Sequence, residues 1–281
     1  MPRRLLITDL DNTLYDWVGF FAPAFKAMCE ALAQTLDIPV EQVFEEAKQV
    51  HLAYGSIEHP FAVFDLASVQ SRWPGASPAQ LKGYLDEPLH RFNSERKRRL
   101  RLYDGVGDTL ERLTARGIRV VGHTEASPEN AYYRLHRLGI AHYFSHLYAL
   151  AGPSVSHPDP ERVRGLAPPS GLLVRLDHTE RKPNRDIVLE ICAGERVDPS
   201  AAAYVGDSLS KDIAMARAAG VYAVWARYGT LVDPADWAVL VLATPWTEEN
   251  VRREQDIKRA ATGITPDLEI DEYSQLLEVF D

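Results

Sequence analysis

Cysteine is scarce in this chain: Cys29 and Cys192 are the only two in 281 residues, and they form no CxxC pair. Both sit in apolar helical patterns, so they read as small core residues in a reducing compartment. An excess of basic charge is also lacking. Lys and Arg number 31 against 40 Asp and Glu, a net charge of -9 with a pI near 5.5, which argues against nonspecific binding to a nucleic-acid polymer. An anionic small molecule is not excluded, because a metal and one lysine can set a local field. No long hydrophobic run follows Met1-Pro2-Arg3-Arg4; the apolar stretch there is far too short for a signal segment or a membrane span. The expectation is a cytoplasmic protein with no membrane partner. Internal repeats are absent, and an apolar fraction of 46% with 25% charged residues is ordinary for a globular chain.

What is present alternates between two regimes. Leu5-Leu6-Ile7 is a compact apolar run ending at Thr8-Asp9, as expected for a buried parallel strand. From Phe20 the spacing turns helical, with Phe21, Phe25, Met28 and Leu32 on one stripe and Val40, Val43, Phe44 and Ala47 on a second. Further helices are expected over 61–70 and after Ser77-Pro78, where serine caps and proline takes the first helical position. No alternating strand pattern appears over 16–99, which predicts an all-helical insert.

Strand and helix then alternate. Strands are expected at 118–122, 146–150, 202–205, 221–225 and 239–242, with helices between them closed by Gly117 and Gly139. That alternation implies a parallel sheet wrapped on both faces, with ligands at the carboxyl ends of its strands. Residues 152–180 stand apart as an insertion rich in turn formers, with a short hairpin strand expected at 172–176 and both ends leaving the sheet on the ligand edge.

Four short segments close these runs: Asp9-Leu10-Asp11-Asn12-Thr13, Thr124, Lys182-Pro183, and Gly206-Asp207-Ser208 with Asp212 behind it. Each has a bland reading alone. Two acids after a strand make a capped turn, a strand-end threonine caps a helix, and a lone lysine is a surface residue. Their chemistry together is more specific. A carboxylate directly after the first strand is placed to act as a nucleophile. Asp11, two residues on, projects to the same side if the strand geometry persists. A strand-end hydroxyl at Thr124 can donate to a phosphate oxygen. His123 reads as a packed strand-end residue, and Lys182, followed by Pro183 and lying upstream of Asp207, is preferred over Lys211 as the ammonium that would neutralise a phosphate and hold Asp9 ionised.

In this order the motifs resemble the haloacid dehalogenase-like hydrolase superfamily, specifically its phosphatase-type members with a helical cap. The resemblance covers the first strand and nearly everything from about residue 102 onward. It implies a Rossmann-like α/β core formed by residues 1–15 and 100–281, with 152–180 an insertion loop and 16–99 a small helical cap domain. It further implies a Mg²⁺-dependent phosphatase acting on a small phosphorylated metabolite through an aspartyl-phosphate. Asp9 is then the nucleophile, Asp11 the general acid and base, and Thr124 and Lys182 the phosphate contacts. Asp9, Asp207 and the backbone carbonyl of Asp11 are the metal ligands, while Asp212 binds through water or orients Asp207 and Lys182. Where the family more often carries asparagine after the threonine, this chain has Glu125. The start Asp9–Asp11 with Asn12-Thr13-Leu14-Tyr15-Asp16 resembles the branch containing nucleotidase-like phosphatases. The rival readings are a phosphomutase of the same superfamily, a 2-haloacid dehalogenase (which generally lacks an acid at the position of Asp11), and a non-catalytic metabolite-binding protein.

Overall fold

The computed structural model describes residues 2–54, 58, 60–151, 167–243 and 263–281. Seven strands form one parallel sheet. They are β1 (Leu5–Thr8), β2 (Arg119–Thr124), β3 (Phe144–Leu150), β4 (Leu173–Leu176), β5 (Ala202–Gly206), β6 (Tyr222–Ala226) and β7 (Leu268–Ile270), in spatial order β4-β3-β2-β1-β5-β6-β7. β1 lies at the centre, between β2 and β5. Its period-two alternation explains why it is apolar throughout. Leu6 packs with the helices of one face, whereas Leu5 and Ile7 pack with those of the other. Each is fully buried, a gain of about 1.5–3 kcal/mol apiece.

From Trp17 to Arg99 the described chain is helical: α1 (Trp17–Leu36), α2 (Val40–Tyr54), α3 (Ala67–Arg72), α4 (Pro78–Tyr84) and α5 (Asp86–Arg99). The expected helix over 61–70 is divided into a tight turn, Pro60–Asp65, and α3. Ser77 caps α4 in a reciprocal box with Gln80. α1 packs along α5 through Phe21, whose ring meets Phe92 edge-on. The chain leaves and re-enters the sheet layer side by side, with the amide of Tyr103 donating to the carbonyl of Leu14 at 3.0 Å.

The remaining helices are α6 (Val106–Ala115), α7 (Pro128–Arg137), α8 (Arg185–Gly194), α9 (Ala214–Ala219) and α10 (Pro234–Ala243). Two expectations are corrected here. The apolar run 239–242 is not a strand but the end of α10, which starts behind Asp233 and Pro234 and packs on α1 and α2. The sheet position is taken by β7. The second concerns 172–176: β4 pairs in parallel with β3, Leu150 opposite Leu176, so it is an edge strand of the main sheet and not part of a hairpin. Of the insertion 152–180, residues 152–166 lie outside the described residues. Cys29 and Cys192 are free and buried. Among the described residues, no helix is long and apolar enough to cross a membrane.

Candidate active site

The carboxyl end of β1 is shaped by its own sequence. The Asp9 amide donates to the Val205 carbonyl at 2.9 Å, after which the chain folds into a tight turn with Leu14 N donating to Leu10 O at 2.8 Å. Asn12 adopts φ 56°, a left-handed conformation that asparagine tolerates better than most residues. Its side-chain oxygen accepts from the amides of Trp17 and Val18 at 3.0 and 3.4 Å, tying the turn to the start of α1.

Asp9, at the mouth of this turn, is almost fully buried. Thr13 Oγ1 donates to Asp9 Oδ2 at 3.2 Å, and the Lys182 ammonium donates to Oδ1. Lys182 reaches the site through the turn after β4. Its Nζ also donates to Asp212 Oδ1 at 2.8 Å, and Asn184 caps α8 immediately behind. Asp212 arrives by a wide turn over Leu209–Ile213, in which the Ile213 amide reaches back five residues to Ser208 O. Asp212 lies so close over Gly206 that a Cβ there would sit 2.6 Å from the Asp212 Cβ. Its Oδ2 accepts from Ser208 N at 3.1 Å.

Asp9, Asp207 and Asp212 thus converge from three segments, each offering an oxygen within 4.8 Å of the others. Burial raises Asp9 from the ordinary 3.8 to about 7, opposed by Lys182 and reinforced by Asp212. Burial, then the charges of Asp212 and Asp9, also push Asp207 well up. Burial disfavours the charge on Lys182, but Asp212 and Asp9 outweigh it and hold the ammonium protonated. Three carboxylates against one ammonium leave the cluster short of positive charge. A hard divalent cation with oxygen ligands fits that deficit and that donor set.

Beneath the cluster, Tyr204 OH donates to Asp212 Oδ1 at 3.2 Å and lies 3.1 Å from His123 Nδ1. With its one proton directed at Asp212, the phenol accepts from His123, which fixes the Nδ1–H tautomer. Burial, then the Lys182 charge, push the imidazole well below its usual pKa. His123 is therefore a packed neutral group, as its place in the strand suggested. Thr124 ends β2 in the buried layer, with Oγ1 accepting from the Ala126 amide at 3.1 Å and its O–H still available to donate. Lys211 pairs with Glu125 at 3.3 Å, so Glu125 has a cation beside it.

Asp11 is on the side facing the helical insert. Arg134 of α7 donates from Nη1 to both of its oxygens, at 2.8 and 3.2 Å, and from Nη2 to Glu58 at 2.9 Å. Burial raises the Asp11 pKa, and Arg134 opposes the rise. Neither Arg134 nor Glu58 was expected at the site. The signal for Arg134 was its position: the helical stripe Ala131, Tyr132, Leu135 is buried, and a charge within it calls for a partner. Glu58 had no comparable signal. A further unexpected element is the turn Arg227–Thr230. Tyr228 OH donates to Thr13 O at 2.6 Å, and a Cβ on Gly229 would collide with the Asn12 carbonyl and lie 2.8 Å from the Asp207 Cβ.

A parallel α/β sheet thus carries clustered acids and a buried lysine at its carboxyl edge, a setting in which a carboxylate can act on an anionic substrate. The family model described as haloacid dehalogenase-like hydrolase matches residues 4–167 and 155–220, and the chain belongs to that family. Among curated proteins it is 27% identical over 280 residues to a glyceraldehyde 3-phosphate phosphatase of Methanopyrus kandleri, covering 98% of this chain and 96% of the relative. It is 25% identical over 252 residues to a phosphoserine phosphatase of Thermus thermophilus, covering 80% and 89%. Among solved structures, a 2-haloacid dehalogenase from Pseudomonas syringae pv. Tomato superposes with TM-score 0.58 at 23% identity, covering 99% of this chain and 97% of that one. A phosphatase of the same superfamily from Thermococcus onnurineus gives 0.54 at 18% identity, again covering 99% and 97%. These two likenesses are likenesses of fold.

Proposed function

We propose that this protein is a divalent-metal-dependent phosphatase that hydrolyses a small phosphate monoester through an aspartyl-phosphate on Asp9. The observation that carries the reading is the buried Asp9 carboxylate, held by Lys182 and Thr13 beside Asp207 and Asp212. In the first half-reaction an Asp9 oxygen attacks phosphorus as the bond to the leaving oxygen breaks, and Asp11 gives that oxygen its proton. In the second, water attacks the aspartyl-phosphate, Asp11 takes the water's proton, and Asp9 is released with inorganic phosphate. Lys182 and the Thr124 hydroxyl hold phosphoryl oxygens through both steps. Mg²⁺, held by Asp9, Asp207 and the Asp11 carbonyl with Asp212 behind them, would neutralise charge between the nucleophile and the phosphate.

On this reading residues 1–15 and 100–281 form the catalytic core, while 16–99 act as a cap that excludes water and selects the leaving group. The names of the curated relatives, all phosphatases of small phosphate esters, support the class. An acid at Asp11 favours phosphoryl transfer over dehalogenation, for which a second acid has no proton to deliver. The test is a panel of phosphate esters incubated with Mg²⁺, with free phosphate, isomerised sugar phosphate and halide measured separately. Phosphate release that EDTA abolishes and Mg²⁺ restores is expected. Isomer or halide as the product, or release indifferent to EDTA, would overturn the proposal.

A further inference from the structure

Arg134 is an unusual residue to find in the interior of α7. Its guanidinium is only 5% exposed and bridges the β1 turn, through Asp11, to the insert, through Glu58. Asn130, one helical turn back, donates to the same Glu58 oxygen at 3.3 Å, and Phe20 of α1 lies beneath the guanidinium at 5.3 Å. Two acids and one guanidinium in a buried layer are a poor source of stability, because desolvation consumes most of the attraction. They are a good source of orientation. The planar fork binds Asp11 with one nitrogen and Glu58 with another, a geometry lysine cannot reproduce.

We infer that Arg134 is a positioning residue that aims the Asp11 carboxylate at the leaving oxygen, and that Glu58 holds Arg134 in place from the insert. The inference rests on the role given to Asp11 above. Arg134 engages Asp11 Oδ1 more closely, at 2.8 Å against 3.2 Å for Oδ2, so Oδ2 is the less tightly held oxygen and the one assigned the proton. When the phosphorus–oxygen bond breaks and the Asp9–phosphorus bond forms, the leaving oxygen keeps the electron pair and takes the proton from Oδ2. A carboxyl group free to rotate would spend much of its time turned away, and misplacement of this kind costs rate without loss of binding.

The test uses leaving groups of graded acidity. Nitrophenolate departs without a proton, whereas phenolate needs one. The full-length Mg²⁺-loaded protein, Arg134→Lys and Glu58→Gln are compared in single-turnover release of phenol from phenyl phosphate and of nitrophenol from p-nitrophenyl phosphate. For Arg134→Lys the phenyl ester should slow by ~10²-fold and the nitrophenyl ester by less than ~5-fold, the range over which general-acid catalysis acts. Glu58→Gln should show the same asymmetry at roughly tenfold. Equal losses on both esters would overturn the inference and assign Arg134 a purely structural role. If Arg134→Lys fails to fold, Glu58→Gln decides alone, and an unchanged leaving-group dependence in it counts against the inference. A wild-type protein that releases neither phenol with Mg²⁺ overturns the phosphatase reading itself, a different outcome from equal losses in the variants.

Discussion

Two buried clusters of charge lie toward opposite ends of the same sheet, and the contrast between them separates a site from a brace. At the carboxyl end, three carboxylates share one ammonium and one phenol. Toward the amino end the ratio is inverted. Glu195 is a single carboxylate, 2% exposed, with the Arg119 guanidinium at 3.2 Å, His146 Nδ1 at 2.5 Å and the Tyr148 hydroxyl at 3.2 Å around it. Its partners come from β2 and β3 while Glu195 itself ends α8, so it ties three elements together and leaves no unmet charge. Burial of ionisable groups is common to both. What distinguishes the first is incomplete compensation: burial raises Asp9 and Asp207, neighbouring carboxylates add to the rise, and Lys182 offsets only part of it, which leaves room in the electrostatics for a cation and an anion together.

The sharpest way to break this contrast is to neutralise one member of each cluster. Asp9→Asn should lower turnover by at least ~10³-fold, since an amide cannot form the phosphoenzyme. Folding should be retained, because the change relieves repulsion within the acidic cluster; circular dichroism and phosphate release check both halves. Gly229→Ala acts on the same cluster from outside. Its methyl group would push the Asn12 turn and Asp207 apart, and we expect kcat/KM to fall by ~10²-fold, the cost of displacing reacting groups by about an ångström. Steady-state kinetics at varied Mg²⁺ should show a weaker apparent metal affinity alongside.

At the brace the effects reverse. Glu195→Ala should cost about 1–2 kcal/mol of stability, the lower part of the range for a lost buried partner because Arg119 and His146 are partly exposed. Its kcat should match wild type; urea unfolding together with kinetics would reveal any loss of activity, which would join the two clusters functionally. The smallest effect concerns pH. Asp9 titrates near 7 when folded without metal and near 3.8 when unfolded. Between about pH 4 and pH 7 the folded state therefore holds a proton that the unfolded chain gives up, and metal-free stability declines across that window. Mg²⁺ binds the ionised carboxylates, so it should raise Tm more at pH 8 than at pH 5, by roughly 2–4 °C for each 1 kcal/mol of difference. Thermal melts with and without Mg²⁺ at the two pH values check the sign.

Much of this architecture could be read from local pattern. The strands ending in Asp9, Thr124 and Asp207 announced themselves as apolar runs, and the helical stripes of the insert as three- and four-residue spacing. Where pattern misled, tertiary contacts had overridden it. The run 239–242 is β-branched and apolar enough for a strand, but behind Pro234 it continues a helix that buries itself on α1 and α2. β7 is three residues long, too short to show a period, and exists because β6 offers an open edge. Lys211 and Lys182 were rivals in the sequence, and only the fold shows Lys211 turned to Glu125.

By itself the sequence determined which chemistry-bearing groups end the strands, because a parallel sheet needs continuous apolar runs and polar residues stand out where those runs stop. It determined the family as well, since Asp9, Asp11, Lys182 and Asp207 occur in order. Only the tertiary structure decided who touches whom across long separations: Arg134 with Asp11 and Glu58, Tyr204 with Asp212, Gly229 against Asn12 and Asp207. The physical reason is that these contacts are made between side chains brought together from different elements. Spacing along one element constrains which face a residue occupies, but not which residue of another element will meet it there.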